Sequence, residues 1–168
     1  MNTLERARAD ELSQYMDIMN SAREFQREQG FVQWPDGYPY REIIEADVKE
    51  GNGYALKVDG QVAGYMYIGF DGDPSYPEIV GAWRYDIPYA VIHRIGIGSA
   101  FRGKGLADTA FALAEEICRK EGFKTLRIDT DGQNKRMQHV LEKNGFSYCG
   151  TVIQGNGERM AFDKWIGD

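Results

Sequence analysis

The spacing of apolar residues shifts along the chain between helical and alternating, and each shift marks an element. Leu12, Tyr15, Met16, Met19, Ala22 and Phe25 recur at helical intervals, which predicts a helix opened by Asp10 as N-cap and stopping near Gly30. Ile43, Ile44 and Val48 form the apolar side of a second helix over residues 41–49. Residues 53–58 and 61–70 read as strands, and Asp59-Gly60 between them is a strong hairpin signal. A β-branched run over 91–97 breaks into a glycine-rich turn. Leu106, Ala110, Leu113, Ala114 and Ile117 then follow at helical spacing over residues 106–121. Residues 125–130 predict a strand. Asn134 opens a helix with Met137, Val140 and Leu141 on one face, and Gly145 stops it with Phe146 packing back. Residues 147–153 and 159–165 pair around Gln154-Gly-Asn-Gly157, and a weaker strand lies at 4–7. The order β-α-α-β-β-β-α-β-α-β-β predicts one domain over residues 1–168, an α+β (mixed α/β) fold whose mixed sheet is covered by helices on both faces.

Two stretches escape this patterning. Phe31-Val-Gln-Trp-Pro-Asp-Gly-Tyr-Pro-Tyr40 is an aromatic loop that is either a lid over a ligand or a plug on the core. Residues 71–88 carry Asp71, Asp73, Glu78 and Asp86 among Tyr76, Trp83, Arg84 and Tyr85. They read either as a solvated surface loop or as one wall of a substrate cleft whose acids favour a cationic amine.

Composition narrows the function classes. Hydrophobic residues at 42% and charged residues at 27% are ordinary for a soluble globular domain of 168 residues. A net charge of −6 argues against nucleic acid as a partner. Cys118 and Cys149 are too few for a disulfide scaffold and lack metal-ligand spacing, so no metal is expected, and Cys118 sits on the inner stripe of its helix. No signal pattern and no membrane-length apolar run is present, which predicts a cytoplasmic protein without a membrane partner.

The chemistry concentrates in Val91-Ile-His-Arg-Ile-Gly-Ile-Gly-Ser-Ala-Phe-Arg-Gly-Lys-Gly-Leu-Ala107. Strand, glycine turn and helix start present unpaired backbone N–H groups to an anion. Gly103 and Gly105 let the backbone approach a ligand closely, and Arg102 and Lys104 add positive charge. The triphosphate pattern over Gly98–Lys104 fails because residue 105 is Gly rather than Ser or Thr, leaving no hydroxyl for a magnesium ion. The dinucleotide pattern fails because its third glycine would be Phe101. Arg102-x-x-Gly105-x-Ala107, after a strand and opening a helix, resembles the pyrophosphate loop of the GNAT superfamily of N-acetyltransferases, which bind acetyl-coenzyme A. Arg127-Ile-Asp129-Thr-Asp-Gly-Gln-Asn134, ending at Asn144-Gly145-Phe146, resembles the second half of the same core.

The resemblance implies a central, largely antiparallel sheet of about seven strands, splayed between the fourth (91–97) and the fifth (125–130). It implies a bulge in the fourth, which Gly96 and Gly98 would suit. Backbone groups at Ile95 and Ile97, with Gly96 between them, would bond the pantetheine arm as a further strand does. Amides of Arg102, Gly103, Lys104, Gly105, Leu106 and Ala107 would hold the pyrophosphate, and Asn134 would bond the arm near its end besides capping its helix. Acetyl transfer to an amine needs a base, an oxyanion donor and a proton for the thiolate. A backbone N–H near Ile95 or Ile97 is the candidate oxyanion donor. His93, on the strand face of Ile95 and Ile97, is either a base or a satisfied core histidine. Asp129 is either a base or a structural partner of Arg127 or Arg94. The family often carries Tyr where this chain has Leu141; either another phenol such as Tyr148 substitutes, or the thiolate leaves with water's help.

The implied function is transfer of acetyl from acetyl-coenzyme A directly to a primary amine of a small molecule. Leu141 leaves open a non-catalytic coenzyme-binding or regulatory module, and Asp129 leaves open a protein N-terminal or lysine acetyltransferase. The terminal hairpin is a candidate homodimer contact.

Overall fold

The computed structural model describes residues 1–155 and 157–168; Asn156 lies outside the described residues. Eight strands and four α-helices alternate along them: β1 (Asn2–Arg6), α1 (Leu12–Glu28), α2 (Arg41–Glu50), β2 (Gly53–Val58), β3 (Gln61–Gly69), β4 (Val80–Gly81), β5 (Ala90–Ile97), α3 (Leu106–Lys120), β6 (Thr125–Thr130), α4 (Lys135–Lys143), β7 (Ser147–Gln154) and β8 (Gly157–Trp165). The strands form an open sheet in the order β1-β2-β3-β5-β6-β8-β7-β4. β1 with β2, β2 with β3, β6 with β8, β8 with β7 and β7 with β4 pair antiparallel, whereas β5 with β6 is parallel and registers Ala90 with Leu126 and Val91 with Arg127. The expectation of about seven strands missed β4, because two residues carry no alternation to read. No described helix is long and apolar enough to cross a membrane.

The chain divides into two compact units, the first of Met1–Ile68 with His93–Leu113 and the second of Gly69–Ile92 with Ala114–Asp168. In the first, α1 and α2 lay Leu12, Tyr15, Ile18, Met19 and Ile44 against Ala55 of β2 and Tyr65 of β3, which are directly paired. Residues 53–57 of β2 are buried on both faces, as a central strand with cover on each side requires. Asp59 and Gly60, at φ 50° and 83°, make the tight turn the hairpin needs. Asp10 does not cap α1. Its carboxylate is taken by Arg8, at 3.0 and 2.6 Å, and a 3-10 turn over Ala9–Glu11 leads into the helix instead. The aromatic loop supplies a plug, with Phe31 and Trp34 buried and Trp34 in the cluster beneath α1.

In the second unit, β6, β8 and β7 pair in antiparallel register and carry a small core of Val91, Val152, Ala161 and Tyr76. Residues 71–88 are more than a solvated loop. Tyr76 is fully buried, and Arg84 donates from its backbone and side chain to the Asp163 carboxylate, which has no solvent exposure. Asn134 caps α4 by accepting from the Met137 amide at 3.1 Å. Gly145, at φ 88°, ends the helix while the Phe146 amide donates to the Leu141 carbonyl.

Gly64 marks the tightest backbone approach in the first unit. A Cβ there would meet the Gly96 carbonyl oxygen at 2.9 Å and the Ile97 Cδ1 at 3.1 Å. The carbonyl cannot retreat without moving its strand, so Gly64→Ala is expected to destabilise the fold by about 1–3 kcal/mol. A lower midpoint of urea unfolding with an unchanged slope would show it.

Candidate functional site

Beyond β5 the chain makes a 3-10 turn over Ser99–Phe101, extends at Arg102, and reaches α3 through Gly103 and Gly105 at φ 77° and 71°. Glycine adopts these left-handed conformations without the penalty a Cβ carries. A Cβ at either would meet nothing within 4 Å. The glycines therefore answer a backbone demand rather than internal crowding, and the space over the corner is open to a ligand. The corner feeds a helix of 15 residues whose first amides and dipole favour an anion. The two cations have different tasks. Arg102 donates to the Ser21 carbonyl at 3.1 Å and hydroxyl at 2.9 Å and lies 4.1 Å over the Phe25 ring, which ties the loop to α1. Lys104 is exposed and is the cation the loop offers to solvent.

The left-handed residue of β5 is not a glycine. Arg94 adopts φ 52°, while Gly96 and Gly98 keep ordinary strand or turn conformations. Gly96 is needed for close packing, since a Cβ would meet Met19 Cε at 2.9 Å and Ala22 Cβ at 3.2 Å. Gly98 donates to the Ala63 carbonyl at 2.7 Å. The left-handed turn at Arg94 also breaks the alternation of the strand. His93 stacks on Tyr67 at 5.7 Å between ring centres, and Arg94 lies over the same ring at 4.6 Å. Ile97 points instead toward Gly64 and Leu56, on the other face from Gly96. The expectation that His93 shares a face with Ile95 and Ile97 is thus corrected, because it assumed an unbroken two-residue period.

In the second unit Asp129 stands in a network the sequence did not reveal. Its Oδ2 accepts from the Tyr76 phenol at 2.7 Å and from Gln154 Nε2 at 3.1 Å, and the same Gln154 nitrogen donates to Asp73 Oδ2 at 3.0 Å. Neither arginine expected beside Asp129 is placed for that task. Arg94 is held by Asp47, and Arg127 lies between the rings of Trp83 and Tyr89 at 4.3 and 3.9 Å while donating to the Tyr85 carbonyl. Tyr148 packs edge-on against Phe162, its partner across the β7–β8 ladder, whereas Asp129 pairs with Ala161. Adjacent residues of β8 face opposite ways, so the Tyr148 phenol and the Asp129 carboxyl lie on opposite faces of the sheet. Leu141 is fully buried. The first unit thus gathers His93, Ile95, Gly96, Ile97 and residues 102–107, and the second holds Asp129, Asn134 and Tyr148. Sequence reasoning named Asp73 and Tyr76 in an unpatterned stretch and Gln154 in a hairpin turn, but did not join them to Asp129, because no local spacing records contacts between segments so far apart.

Burial, reinforced by the neighbouring Asp129 carboxylate, pushes the Tyr76 phenol well above its ordinary value of 10.0. The folded state holds this proton more tightly than the unfolded chain. The resulting stability is complete below pH 10 and is lost as pH rises further. Tyr76→Phe should lower stability near neutrality by about 1–3 kcal/mol, by leaving Asp129 short of a donor. It should also flatten the alkaline decline. Urea midpoints near neutrality and above pH 10 test both, and an unchanged alkaline slope would contradict the assignment.

Comparison with known proteins bears on the same segments. The profile of the acetyltransferase (GNAT) family matches residues 19–146. A search of curated proteins finds no match. Among solved structures, a GNAT-family acetyltransferase from Streptococcus agalactiae 2603 is 33% identical, with a TM-score of 0.88 over 98% of this chain and 95% of that one. PaiA N-acetyltransferase from Thermoplasma acidophilum, in complex with coenzyme A, is 13% identical, with a TM-score of 0.74 over 98% of this chain and 99% of that one. AAC(6')-Ib in complex with paromomycin and acetyl-coenzyme A is 19% identical, with a TM-score of 0.72 over 98% and 93%. At those lower identities the likeness is one of fold. The profile takes in α2, β5, the glycine corner and α4, and on that span the chain belongs to the GNAT family of acetyltransferases.

Proposed function

We propose that this chain transfers acetyl from acetyl-coenzyme A to a primary amine of a small molecule. The observation that carries the reading is the glycine corner, two left-handed glycines with open space above them at the start of α3. A diphosphate fits that corner chemically. The amides from Arg102 to Ala107 and the helix dipole supply donors and positive potential, and Lys104 adds an exposed charge. Ile95, Gly96 and Ile97 lie on the strand leading into the corner, where their backbone groups would bond an extended arm. Bound there, coenzyme A would supply an activated acetyl thioester.

His93, on that same strand, is the residue proposed to take the proton from the amine. Asp129 is the weaker candidate, because Tyr76 and Gln154 both donate to one of its oxygens and hold it as part of the packing. A cationic acceptor suits the net charge of −6. The paromomycin complex of a similarly folded acetyltransferase supports an amine-bearing small molecule as the acceptor class.

Calorimetry with coenzyme A, and thiol release from acetyl-coenzyme A across a panel of amines, polyamines and peptides, test this together. Gly105→Glu places a side chain at φ 71° and a negative charge over the corner, and should weaken coenzyme affinity about tenfold or more. His93→Ala should lower kcat about 100-fold at unchanged affinity for the coenzyme. Equal affinity of the Gly105→Glu protein would contradict the corner's role. Tight binding without turnover of any acceptor would favour the coenzyme-binding module instead, the outcome to which the buried Leu141 points.

A further inference from the structure

The left-handed turn in β5 is made by an arginine, although glycine would adopt it freely. A side chain in that region persists only where its surroundings over-determine it. Here they do so from α2. Arg94 Nε and Nη2 donate to Asp47 Oδ2 and Oδ1 at 3.0 and 2.7 Å, a two-pronged pairing that fixes the guanidinium plane as well as its position. The Tyr65 phenol donates to Asp47 Oδ2 at 2.8 Å, and the Tyr67 ring lies under the guanidinium. Asp47 is 4% exposed, so this is a buried ion pair whose partners are strongly committed to each other. Burial opposes the Arg94 charge, but hydrogen bonds and attraction from Asp47 more than offset it, and the guanidinium holds its proton more firmly than usual. The backbone turn is thereby made conditional on a carboxylate 47 residues away in sequence. One side of the turn is His93, stacked on the same Tyr67 ring.

We propose that Asp47 is a positioning residue for acetyl transfer: through its paired hydrogen bonds to Arg94 it holds the left-handed turn in β5 that sets the His93 imidazole against Tyr67. The proposal rests on the reading of His93 as the proton acceptor. Asp47 touches neither acceptor nor coenzyme in this scheme and acts through the backbone.

Comparing Arg94→Ala with Arg94→Gly separates the backbone from the side chain, since both lose the guanidinium but only glycine keeps φ 52° without strain. Arg94→Ala and the volume-conserving Asp47→Asn should each lower kcat about 10- to 100-fold, with the KM for acetyl-coenzyme A and its calorimetric affinity little changed. Arg94→Gly should recover most of the lost kcat. The His93 ring resonances, followed by NMR in the free proteins, should shift in Arg94→Ala and Asp47→Asn and return toward wild type in Arg94→Gly. Equal losses in the two Arg94 variants, or His93 resonances unmoved in Asp47→Asn, would overturn the proposal. The NMR comparison needs no coenzyme. Failure of the wild type to bind or turn over acetyl-coenzyme A would therefore sink the functional reading separately.

Discussion

A residue in the left-handed region of backbone space must be glycine or be held there by its neighbours. The segment from β5 into α3 uses both solutions within twelve positions, with Arg94 at φ 52° and Gly103 and Gly105 at φ 77° and 71°. Everything proposed about chemistry depends on these three departures. The glycines turn the chain so that the first amides of α3 face open space. The arginine interrupts the alternation of β5 so that His93 meets Tyr67. Arg102, fastened to Ser21 and Phe25 of α1, keeps the corner in place between them. The segment is therefore pinned from the helical side by two arginines, one reaching α1 and the other α2.

In the second unit, residues 71–88 are organised by polar contacts rather than by an apolar stripe. Residues 71–88 show no period because their contacts are individual: Arg84 on the buried Asp163, Tyr76 on Asp129, and the Trp83 indole on the Tyr76 carbonyl. Arg127, buried between two aromatic rings, completes the set. Each buried polar group with a partner avoids a desolvation penalty, which is how a stretch largely exposed to solvent stays anchored through Tyr76 and Trp83. Asp73 accepts from Ser75 and Gln154 and Asp129 from Tyr76 and Gln154, while Asp71, Glu78 and Asp86 remain at the surface.

Membership of the GNAT family narrows the chemistry to acyl transfer without naming the acceptor. Fold supplies the place for a coenzyme, whereas acceptor choice depends on side chains outside the matched signatures. The conversion of the aromatic loop from a candidate lid into a plug matters here. With Phe31 and Trp34 buried, the loop presents Val32, Pro35, Asp36, Gly37 and Tyr40 to solvent.

The amino-acid sequence by itself determined the helices α1 to α4, the β2–β3 and β7–β8 hairpins, the cap at Asn134 and the glycine corner. Each is written in local signals: a period of 3.6 or 2, a turn dipeptide, or a glycine where φ must be positive. Tertiary structure alone decided the left-handed turn at Arg94, the face on which His93 lies, the tether of Arg102 and the partners of Asp129. Those features are set by side chains meeting from distant parts of the chain, as Asp47 meets Arg94 and Tyr76 meets Asp129. No local period records such a meeting, because hydrogen-bond partners are chosen by proximity after folding, not by spacing along the chain.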